Sequence, residues 1–556
     1  MFSMDFKFEI ASLISKELKC KKEEVIEVLE VPPESNLGDY AFPCFKFAAK
    51  LKKSPVELAK ELSSKLTCKF IEKVEIKGPY LNVFLKNDLV AKEFLSEIFI
   101  KKNKYGMSDE GKGKTVVIDY SSPNIAKPFG IGHLRSTVIG NSIYKILGHR
   151  GYKCVGVNHL GDWGTQFGKL VVSYKKWGDE KKLEKDPIKH LLEVYVKFHS
   201  EAEINPELED EARAEFKKME NGDKESLSQW EIFKELSLEE FKKYYGMMNI
   251  DFDSWDGESF YNDKMEDAIK ELEKNVKTEL SEGALIVNLE EYGMTPFMLR
   301  KSDGATTYHT RDLAAALYRL KKYKADELLY VVGSPQKLHF DQLFKVLELK
   351  GHSNKLVHVD FGHFKGLSTR KGNIVFLEEV LDNAIELAKK TINKKNPKLK
   401  NKDKVAEMIG IGAVVFADLS NDRIKDAVFD WDKFLNFEGE TAPYVQYTHA
   451  RCCSVLKKSE VKVSKNVDWN KIEDEISLVK HLGRFDYFLD QAARQYKPSI
   501  LARYLLDLSS LFNSFYAKHK IIDDGNETTR ILIVDCVRNV LENGLNLLGV
   551  KAPEEM

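Results

Sequence analysis

The chain has 556 residues and a mass of 63.7 kDa, enough for about three to four domains at roughly 150 residues each. Its 86 basic and 87 acidic residues nearly cancel, and a net charge of −1 excludes a histone-like protein whose whole surface attracts nucleic acid. The seven cysteines form no CxxC pair, so a zinc ribbon or a disulfide scaffold is not expected. No apolar run reaches the length of a membrane span. We therefore expect a cytoplasmic protein without a membrane segment.

The first 90 residues predict a small α+β domain. Apolar periodicity indicates helices over 6–18 and 55–66, and residues 74–86 alternate around Gly78-Pro79 as a β-hairpin does. A stretch rich in lysine and glycine, 101–114, is typical of a linker to the next domain.

A βαβ pattern follows this linker. Residues 115–119 form a short apolar strand, a helix is indicated from about 133 to 147, and 154–158 forms the next strand. Such a unit predicts a Rossmann-like parallel sheet. The sheet is expected to resume at 327–332 and near 356–359.

Two further regions are predicted to be helical. The charged segment from about 178 to 290 indicates a helical insertion between the halves of the sheet. From about 400 onward, long amphipathic patterns over 444–456, 476–493 and 500–516 predict a separate all-α bundle. The fold class is therefore α/β multidomain. The expected domains are an α+β domain over 1–90, a Rossmann-type domain over 91–430 that contains the insertion, and a helical domain over 431–556.

The stretch SSPNIAKPFGIGHLRST, residues 121–137, joins the first strand of the sheet to its helix. Gly130 and Gly132 allow a ligand to approach the backbone closely, and the N–H groups of the helix that starts near His133 favour an anion such as a phosphate. Lys127 adds a positive charge. Without a ligand, the same pattern is an ordinary glycine-rich turn.

The stretch VNHLGDWGTQFGKL, residues 157–170, follows the second strand. Its polar side chains lie where parallel sheets place their ligands. His159 is the candidate binding residue here, although a lone histidine in a loop is more often structural, and Trp163 is expected to be a packing residue.

Tyr308 and Asp312 lie four residues apart in TTYHTRDLAAALYRL, so they share a face if a helix has begun there. An acid and a phenol facing a cleft suit a cationic substrate. The alternative is that Asp312 only caps a helix.

A fourth stretch, HFKGLSTRKGN at 363–373, concentrates small, hydroxyl and basic side chains. It resembles a loop that closes over polyphosphate, or else a solvated basic turn.

Taken together, these stretches resemble the class I aminoacyl-tRNA synthetases, and most closely the arginyl-tRNA synthetases. The resemblance covers nearly the whole chain. GDYAFPCFKFAAKLKKSP is similar to the N-terminal domain of that family, GHLRST to its HIGH motif and GLSTRKGN to its KMSKS motif. VNHLGDWGTQFG, EGETAPYVQYTHAR, FNSFY and the terminal GLNLLGVKAPEEM are also similar to that family.

Two positions depart from the family pattern. Gly130 stands where the first histidine of HIGH is usual, and the KMSKS position reads Gly366-Leu367-Ser368-Thr369-Arg370, without the usual second lysine. Many arginyl enzymes share the second departure, and a lysine just before HIGH, here Lys127, is thought to supply the charge. The loss of one phosphate donor at Gly130 could lower the rate by up to ~10²–10³ if nothing compensates.

The resemblance implies an arginine–tRNA ligase that uses ATP with Mg²⁺ as a substrate complex, with no tightly bound cofactor and no protein-held metal. Its partners would be L-arginine, ATP and tRNA-Arg, and we expect a monomer. The residues implied for phosphate stabilisation and catalysis are Lys127, His133, Ser368, Arg370 and Lys371. The residues implied for ATP binding are Pro123, Gly130, Ile131, Gly132, His133, His159, Gln342, Gly366, Leu367, Ser368, Thr369 and Arg370.

By the same resemblance, Asp119 and Asn124 fall where the family holds the α-amino group of arginine, and Tyr308, Asp312 and Gln336 fall where it reads the side chain. A carboxylate suits a guanidinium, which presents five donors and stays charged. The N-terminal domain would contact the tRNA elbow and the helical domain the anticodon loop. Tyr444, Tyr447 and Arg451 are candidates to stack on unpaired bases, or are simply packing residues.

Two alternatives stay open at this stage. One is a class I synthetase for cysteine or glutamate, against which the absence of a zinc-ligand cluster and the acids at 119 and 312 argue. The other is a degenerate synthetase that only binds tRNA or a protein. Gly130 is the one feature that supports it.

Overall fold

A computed structural model describes residues 5–32, 34–125, 129–365, 376–428, 436 and 439–556. The first part of the chain folds as helices on a three-stranded antiparallel sheet of order β1-β3-β2. The predicted first helix and the hairpin at Gly78-Pro79 are both confirmed. The elements are α1 (Phe6–Leu18), α2 (Lys22–Val28), β1 (Tyr40–Pro43), α3 (Phe45–Leu51), α4 (Pro55–Lys65), β2 (Ile71–Lys77) and β3 (Tyr80–Leu85).

The central region contains a parallel sheet built around the predicted βαβ unit. The first strand of that sheet has the predicted bounds, and its helix begins two residues before the predicted start. The elements, in chain order, are α5 (Asn87–Lys101), β4 (Thr115–Asp119), α6 (Ile131–His149), β5 (Lys153–Val157), α7 (Thr165–Trp177), α8 (Glu180–Lys185), α9 (Pro187–Ile204), α10 (Glu207–Glu220), α11 (Lys224–Met247), α12 (Met265–Glu273), β6 (Glu279–Ser281), β7 (Ala284–Val287), β8 (Phe297–Arg300), α13 (Tyr308–Tyr323), β9 (Glu327–Tyr330), α14 (Lys337–Leu349), β10 (Lys355–His358), β11 (Phe364–Lys365), α15 (Leu377–Lys395), α16 (Lys402–Leu419) and β12 (Ala427–Val428).

The four-stranded sheet has the order β10-β9-β4-β5, and all its strand pairs are parallel. Strand β4 therefore lies in the centre, with β5 on one side and β9 on the other. Its side chains are buried on both faces, which explains the unbroken apolar run that precedes Asp119.

The prediction of a helical insertion up to about 290 is wrong at its C-terminal end. Helices α8 to α12 end at Glu273, and β6, β7 and β8 then form a three-stranded antiparallel sheet. These strands are only three or four residues long, too short for a period of two to stand out in the sequence.

The C-terminal region is helical, as predicted, but its core is not separate. Ser142 of α6 donates to the carbonyl of Leu547, and one apolar cluster runs from the sheet into the bundle. The predicted helix over 476–493 is interrupted at Arg484. No described helix is long and apolar enough to cross a membrane. The helices of this region are α17 (Ala442–Lys458), α18 (Ile476–Gly483), α19 (Phe485–Gln495), α20 (Pro498–Lys518) and α21 (Glu527–Leu547).

Candidate active site

The candidate site lies at the carboxyl ends of the central strands. In the sheet register, Asp119 at the end of β4 pairs with Tyr330 of β9 on one side and with Val157 of β5 on the other. The chain passes from β4 through α6 to β5, whereas β9 adds to the opposite side of β4. The strand order therefore changes direction at β4, which is where open parallel sheets form a ligand crevice.

The turn after β4 holds two serines in an unusual backbone conformation. Ser121 has φ +75° and Ser122 has φ +49°, a region that residues with a side chain rarely adopt. The N–H of Ser121 donates to Ser136 Oγ at 2.9 Å, and that of Ser122 donates to Asn158 Oδ1 at 3.1 Å. These bonds fix a sharp turn beside the crevice.

Asn124 and Pro123 of this turn lie against the loop that follows β5. The N–H of Gly161 donates to the carbonyl of Pro123 at 3.1 Å, and Asn124 forms a parallel bridge with Gly161. A Cβ at position 161 would come within 2.2 Å of Asn124 Oδ1, so a glycine is required there for Asn124 to keep its place. The structure thus brings two of the predicted loops together.

Helix α6 begins with the predicted glycine-rich signature. Gly130 is its N-cap, and no side chain caps the helix among the described residues. The Ile131 side chain is in the core, so only its backbone could meet a ligand. A Cβ at Gly132 would meet no described atom within 4 Å, and His133 is half-buried in the first turn. The N-terminus of this helix is thus an open site with the polarity that attracts anions.

Several predicted phosphate-binding residues lie outside the described residues. They are Lys127, Gly366, Leu367, Ser368, Thr369, Arg370 and Lys371, and their positions stay predictions. The segments that flank residues 366–375 are described. Phe376 forms an antiparallel bridge with Gly130, and Leu377 N donates to the carbonyl of Phe129 at 2.8 Å. On the other side, Arg135 of α6 donates to the carbonyl of Gly362 at 2.6 Å.

Asp119 is paired with a residue that the sequence analysis did not identify. Arg319 of α13 donates to Asp119 Oδ2 at 2.7 Å, and Ser122 Oγ donates to Oδ1 at 3.0 Å. Both charged side chains are buried, at 2% and 9% exposure. Burial alone would lower the pKa of Arg319, but Asp119 and the tyrosines Tyr261 and Tyr330 raise it well above the ordinary value.

The acid–phenol pair sits as its spacing predicts. Helix α13 begins at Tyr308 with Thr307 as N-cap, so Asp312 is not a cap. Tyr308 is 55% exposed, and its ring lies 5.1 Å from that of His339. Gln336 ends a 3₁₀ turn and is the N-cap of α14, on the segment that follows β9.

The two candidates for ribose or adenine contacts have protein partners. His159 Nε2 is 3.8 Å from Asp312 Oδ1, and its Nδ1 is 3.3 Å from the carbonyl of Asp256. Burial lowers the pKa of His159. Gln342 is buried, and its Nε2 donates to the Thr295 carbonyl at 2.6 Å. These contacts place His159 beside Asp312, in a pocket that we call the acidic pocket because it is formed around Asp119 and Asp312. The amide of Gln342 is occupied by a structural contact.

Two other residues beside Asp312 were missed. His339 contacts the carboxylate of Asp312 directly, with 2.7 Å between Nε2 and Oδ2. Glu258 lies 3.7 Å from Arg311, and burial raises its pKa to about 7. A lone histidine and a lone acid carry no periodic signal. By contrast, Arg319 on the apolar helix sequence LAAALYRL is an anomaly that could have been noticed.

The candidate tRNA residues lie beside a cavity in the helical region. Tyr444, Tyr447 and Arg451 line a cavity of about 570 Å³ together with the C-terminal Met556. The Arg451 guanidinium lies 4.8 Å from the Tyr447 ring and 4.7 Å from the Tyr516 ring. Trp163, predicted to be structural, is buried against Trp230. Within the described ranges, no group of three or more metal-ligating side chains forms a metal site.

Comparisons with known proteins cover the whole chain. Residues 94–431 match the family model "tRNA synthetases class I (R), catalytic domain", residues 6–85 match "Arginyl tRNA synthetase N terminal domain", and residues 445–556 match "DALR anticodon binding domain". The arginine–tRNA ligase of Halothermothrix orenii is 48% identical over 565 residues, and that of Clostridium kluyveri is 48% identical over 566. Both alignments cover 100% of this chain and 100% of the relative.

Two solved structures share the fold. The arginyl-tRNA synthetase of Thermus thermophilus superposes with a TM-score of 0.85 at 24% identity, covering 99% of this chain and 100% of that one. The Plasmodium falciparum enzyme gives 0.82 at 24% identity, with 100% of both chains covered. Because full-length relatives are nearly half identical and a family model matches each region, this chain belongs to the arginyl-tRNA synthetases, a family of class I aminoacyl-tRNA synthetases.

Proposed function

We infer that the chain is an arginine–tRNA ligase that converts ATP to AMP and pyrophosphate. The observation that carries this inference is the 48% identity to arginine–tRNA ligases over the full length of both chains. Asp119 at the end of β4 and Asp312 on α13, beside His159, support arginine as the amino acid, because a guanidinium needs acceptor groups.

The reaction proceeds in two displacements. The α-carboxylate of L-arginine attacks the α-phosphorus of ATP, the bond to the β-phosphate breaks, and arginyl-adenylate and pyrophosphate form. The 2′-hydroxyl of the terminal adenosine of tRNA-Arg then attacks the carbonyl carbon, and AMP leaves. Mg²⁺ enters as part of the ATP substrate complex. Positioning and charge neutralisation are the main tasks of the protein, with no covalent enzyme intermediate.

The triphosphate is assigned to the N-terminus of α6 and the segment over 366–375. The open first turn at Gly132 and the half-buried His133 support this assignment, as do the contacts that hold both flanks of the segment against α6. Lys127, Ser368, Arg370 and Lys371 are proposed to neutralise the phosphates. Gly130 offers only its backbone, so a compensating charge from Lys127 belongs to the same proposal.

The arginine side chain is assigned to the pocket around Asp312. Tyr308 starts the helix that carries Asp312, and Glu258 is a further acid nearby. Gln336 belongs to this proposal through the family resemblance. A carboxylate can accept two donors of a guanidinium at once, which a lysine ammonium cannot match in geometry. Asn124 remains the candidate for the α-amino group. The carboxylate of Asp119 is neutralised by Arg319, so any contact it makes with the α-amino group would extend an existing network.

Transfer-RNA recognition is proposed for both flanking domains. The N-terminal domain would contact the elbow, and Tyr444, Tyr447 and Arg451 would meet the anticodon loop at their cavity. The cavity is large enough to admit a nucleobase, and its tyrosines provide faces for stacking. A monomeric state and a cytoplasmic location are kept as predictions of the sequence.

ATP–pyrophosphate exchange with each of the twenty amino acids, with and without tRNA-Arg, tests this function. We expect exchange with arginine alone among the amino acids, in the presence of tRNA-Arg. Exchange with another amino acid would favour a different class I synthetase. Binding of tRNA without exchange for any amino acid would favour a degenerate synthetase and contradict the inference.

A further inference from the structure

His339 connects the start of α14 to the acidic pocket. It is the third residue of the helix, its side chain is 7% exposed, and its Nε2 lies 2.7 Å from Asp312 Oδ2. The ring packs 5.1 Å from Tyr308 and 5.2 Å from Phe340, measured between ring centroids. The short contact and the surrounding rings leave this imidazole little freedom to reorient.

The two oxygens of Asp312 have different surroundings. Oδ2 accepts the hydrogen bond from His339, whereas Nε2 of His159 lies 3.8 Å from Oδ1, beyond hydrogen-bond range. Burial lowers the pKa of His159, and its Nδ1 faces the Asp256 carbonyl. Neutral His159 therefore carries its proton on Nδ1 and has none to give Oδ1. Oδ1 receives no hydrogen bond from the residues that the structure describes.

Asp312 must be ionised to bind a guanidinium, although it is largely enclosed. Burial alone would raise the pKa of Asp312, but the hydrogen bond from His339, together with the electrostatic effects of His339 and Arg319, brings it below its ordinary value. The titratable and charged groups that face Asp312 are His159, Glu258, Tyr308, His309, Arg319, Tyr330 and His339. Within the described part of the chain, only His339 of these groups forms a hydrogen bond with the carboxylate.

We propose that His339 is a positioning residue of the arginine pocket, whose Nε2–H holds Oδ2 of Asp312 so that Oδ1 is presented to the substrate guanidinium. The proposal rests on the assignment of Asp312 to the arginine side chain. His339 acts through Asp312 and does not itself touch the substrate. One hydrogen bond thereby sets both the orientation and the charge of the group that reads arginine.

Leucine and glutamine at position 339 separate positioning from packing. His339→Leu fills the space with an apolar side chain but removes the hydrogen-bond donor. In His339→Gln, the side-chain amide can reach Asp312 as Nε2 of the histidine does. We expect His339→Leu to raise KM for arginine about 10- to 100-fold, the range for losing a hydrogen bond to a charged group, with KM for ATP nearly unchanged. His339→Gln should recover most of this loss. The measurement is tRNA-dependent ATP–pyrophosphate exchange as a function of arginine concentration.

The pH profile distinguishes this role from a structural one. A hydrogen bond to the ionised form lowers a pKa, so its removal should raise the pKa of Asp312 and move the acid limb of kcat/KM for arginine to higher pH. His309→Leu is the matched control. The His309 ring packs 5.0 Å from that of His339, but among the described residues His309 forms no hydrogen bond with Asp312. It should leave the acid limb in place.

An unchanged KM for arginine and an unchanged acid limb in His339→Leu would overturn the proposal, as would equal defects in the leucine and glutamine variants. If the leucine variant fails to fold, His339→Asn, whose shorter amide falls short of Asp312, replaces it in the comparison. Asp312→Asn tests the underlying assignment separately. Normal arginine binding by Asp312→Asn would refute the pocket itself, whereas a defect there with normal His339 variants would refute only the positioning role.

Discussion

Two buried arginine–aspartate pairs lie on either side of the central sheet, and they have different surroundings. Arg135 of α6 is 2.7 Å from Asp418 of α16, and Arg319 of α13 is 2.7 Å from Asp119 of β4. All four side chains are at most 9% exposed. The two pairs therefore do not differ in distance or burial. They differ in what the remaining N–H donors of each guanidinium contact.

Arg135 uses its other donors on main-chain carbonyls. It donates to Gly362 and Lys425 at 2.6 and 3.0 Å, and more weakly to Arg423 at 3.4 Å. One side chain therefore ties α6 to α16 and to the segments next to β11 and β12. The buried Arg135 thus acts as a tether, because it holds these separate segments together.

Among the residues that the structure describes, Arg319 has no such carbonyl partners. Its Nε and Nη2 make no hydrogen bond with the described residues, and the guanidinium instead lies 5.9 Å from the Tyr261 ring and 5.8 Å from the Tyr330 ring. It stands at the strand ends beside Asp312 and His159, whose pKa values its charge lowers. The first pair therefore fixes the geometry of the connected segments, whereas the second lowers the pKa values of Asp312 and His159.

Breaking the tether should have the largest effect on stability. Arg135→Met leaves Asp418 buried without a counter-charge, and we expect the free energy of unfolding to fall by about 3–5 kcal/mol. Urea unfolding measures it. The double variant Arg135→Met with Asp418→Leu removes the unpaired charge and should recover most of the loss. A double variant as unstable as the single one would show that the carbonyl contacts, and not the charge, carry the stability.

Breaking the second pair should cost less stability but change the chemistry. In Arg319→Met, Asp119 keeps the hydrogen bond from Ser122, and we expect unfolding to become easier by about 1–3 kcal/mol. Without the positive charge, His159 and Asp312 take up protons at higher pH, so KM for arginine should rise several-fold at pH 6 and little at pH 8. The exchange assay at the two pH values measures this. An equal change at both would contradict the electrostatic role.

A third pair, Glu258 with Arg311, is more open to solvent and should show the smallest effect. Burial raises the pKa of Glu258 to about 7 from an ordinary value near 4.5. The native state therefore holds a proton that the unfolded chain loses, so this group destabilises the fold as pH rises from about 4.5 to 7. Glu258→Gln should remove that slope. Urea unfolding at pH 5 and 8 checks this, and a difference between wild type and variant that is the same at both would contradict it.

The local elements and the order of the motifs could be predicted from the sequence alone. The strand over 115–119 and the helix over 6–18 follow from the apolar pattern, because hydrogen bonds within a helix and the alternation along a strand involve residues close in sequence. The spacing of Tyr308 and Asp312, four residues apart, is likewise visible in the sequence. The short strands β6 to β8 could not be predicted, because three or four residues are too few to show a period of two.

Which charged side chains form pairs depends on the tertiary fold. Arg319 is 200 residues from Asp119 in the chain, and Asp312 is 27 residues from His339. Their pairing depends on the order of strands in the sheet and on the packing of α13 and α14, which no local window encodes. The family resemblance thus pointed to Asp119 and Asp312 as candidates, and the packing of distant segments gave each its partner. The reason is physical, because a buried charge takes its pKa and orientation from neighbours in space.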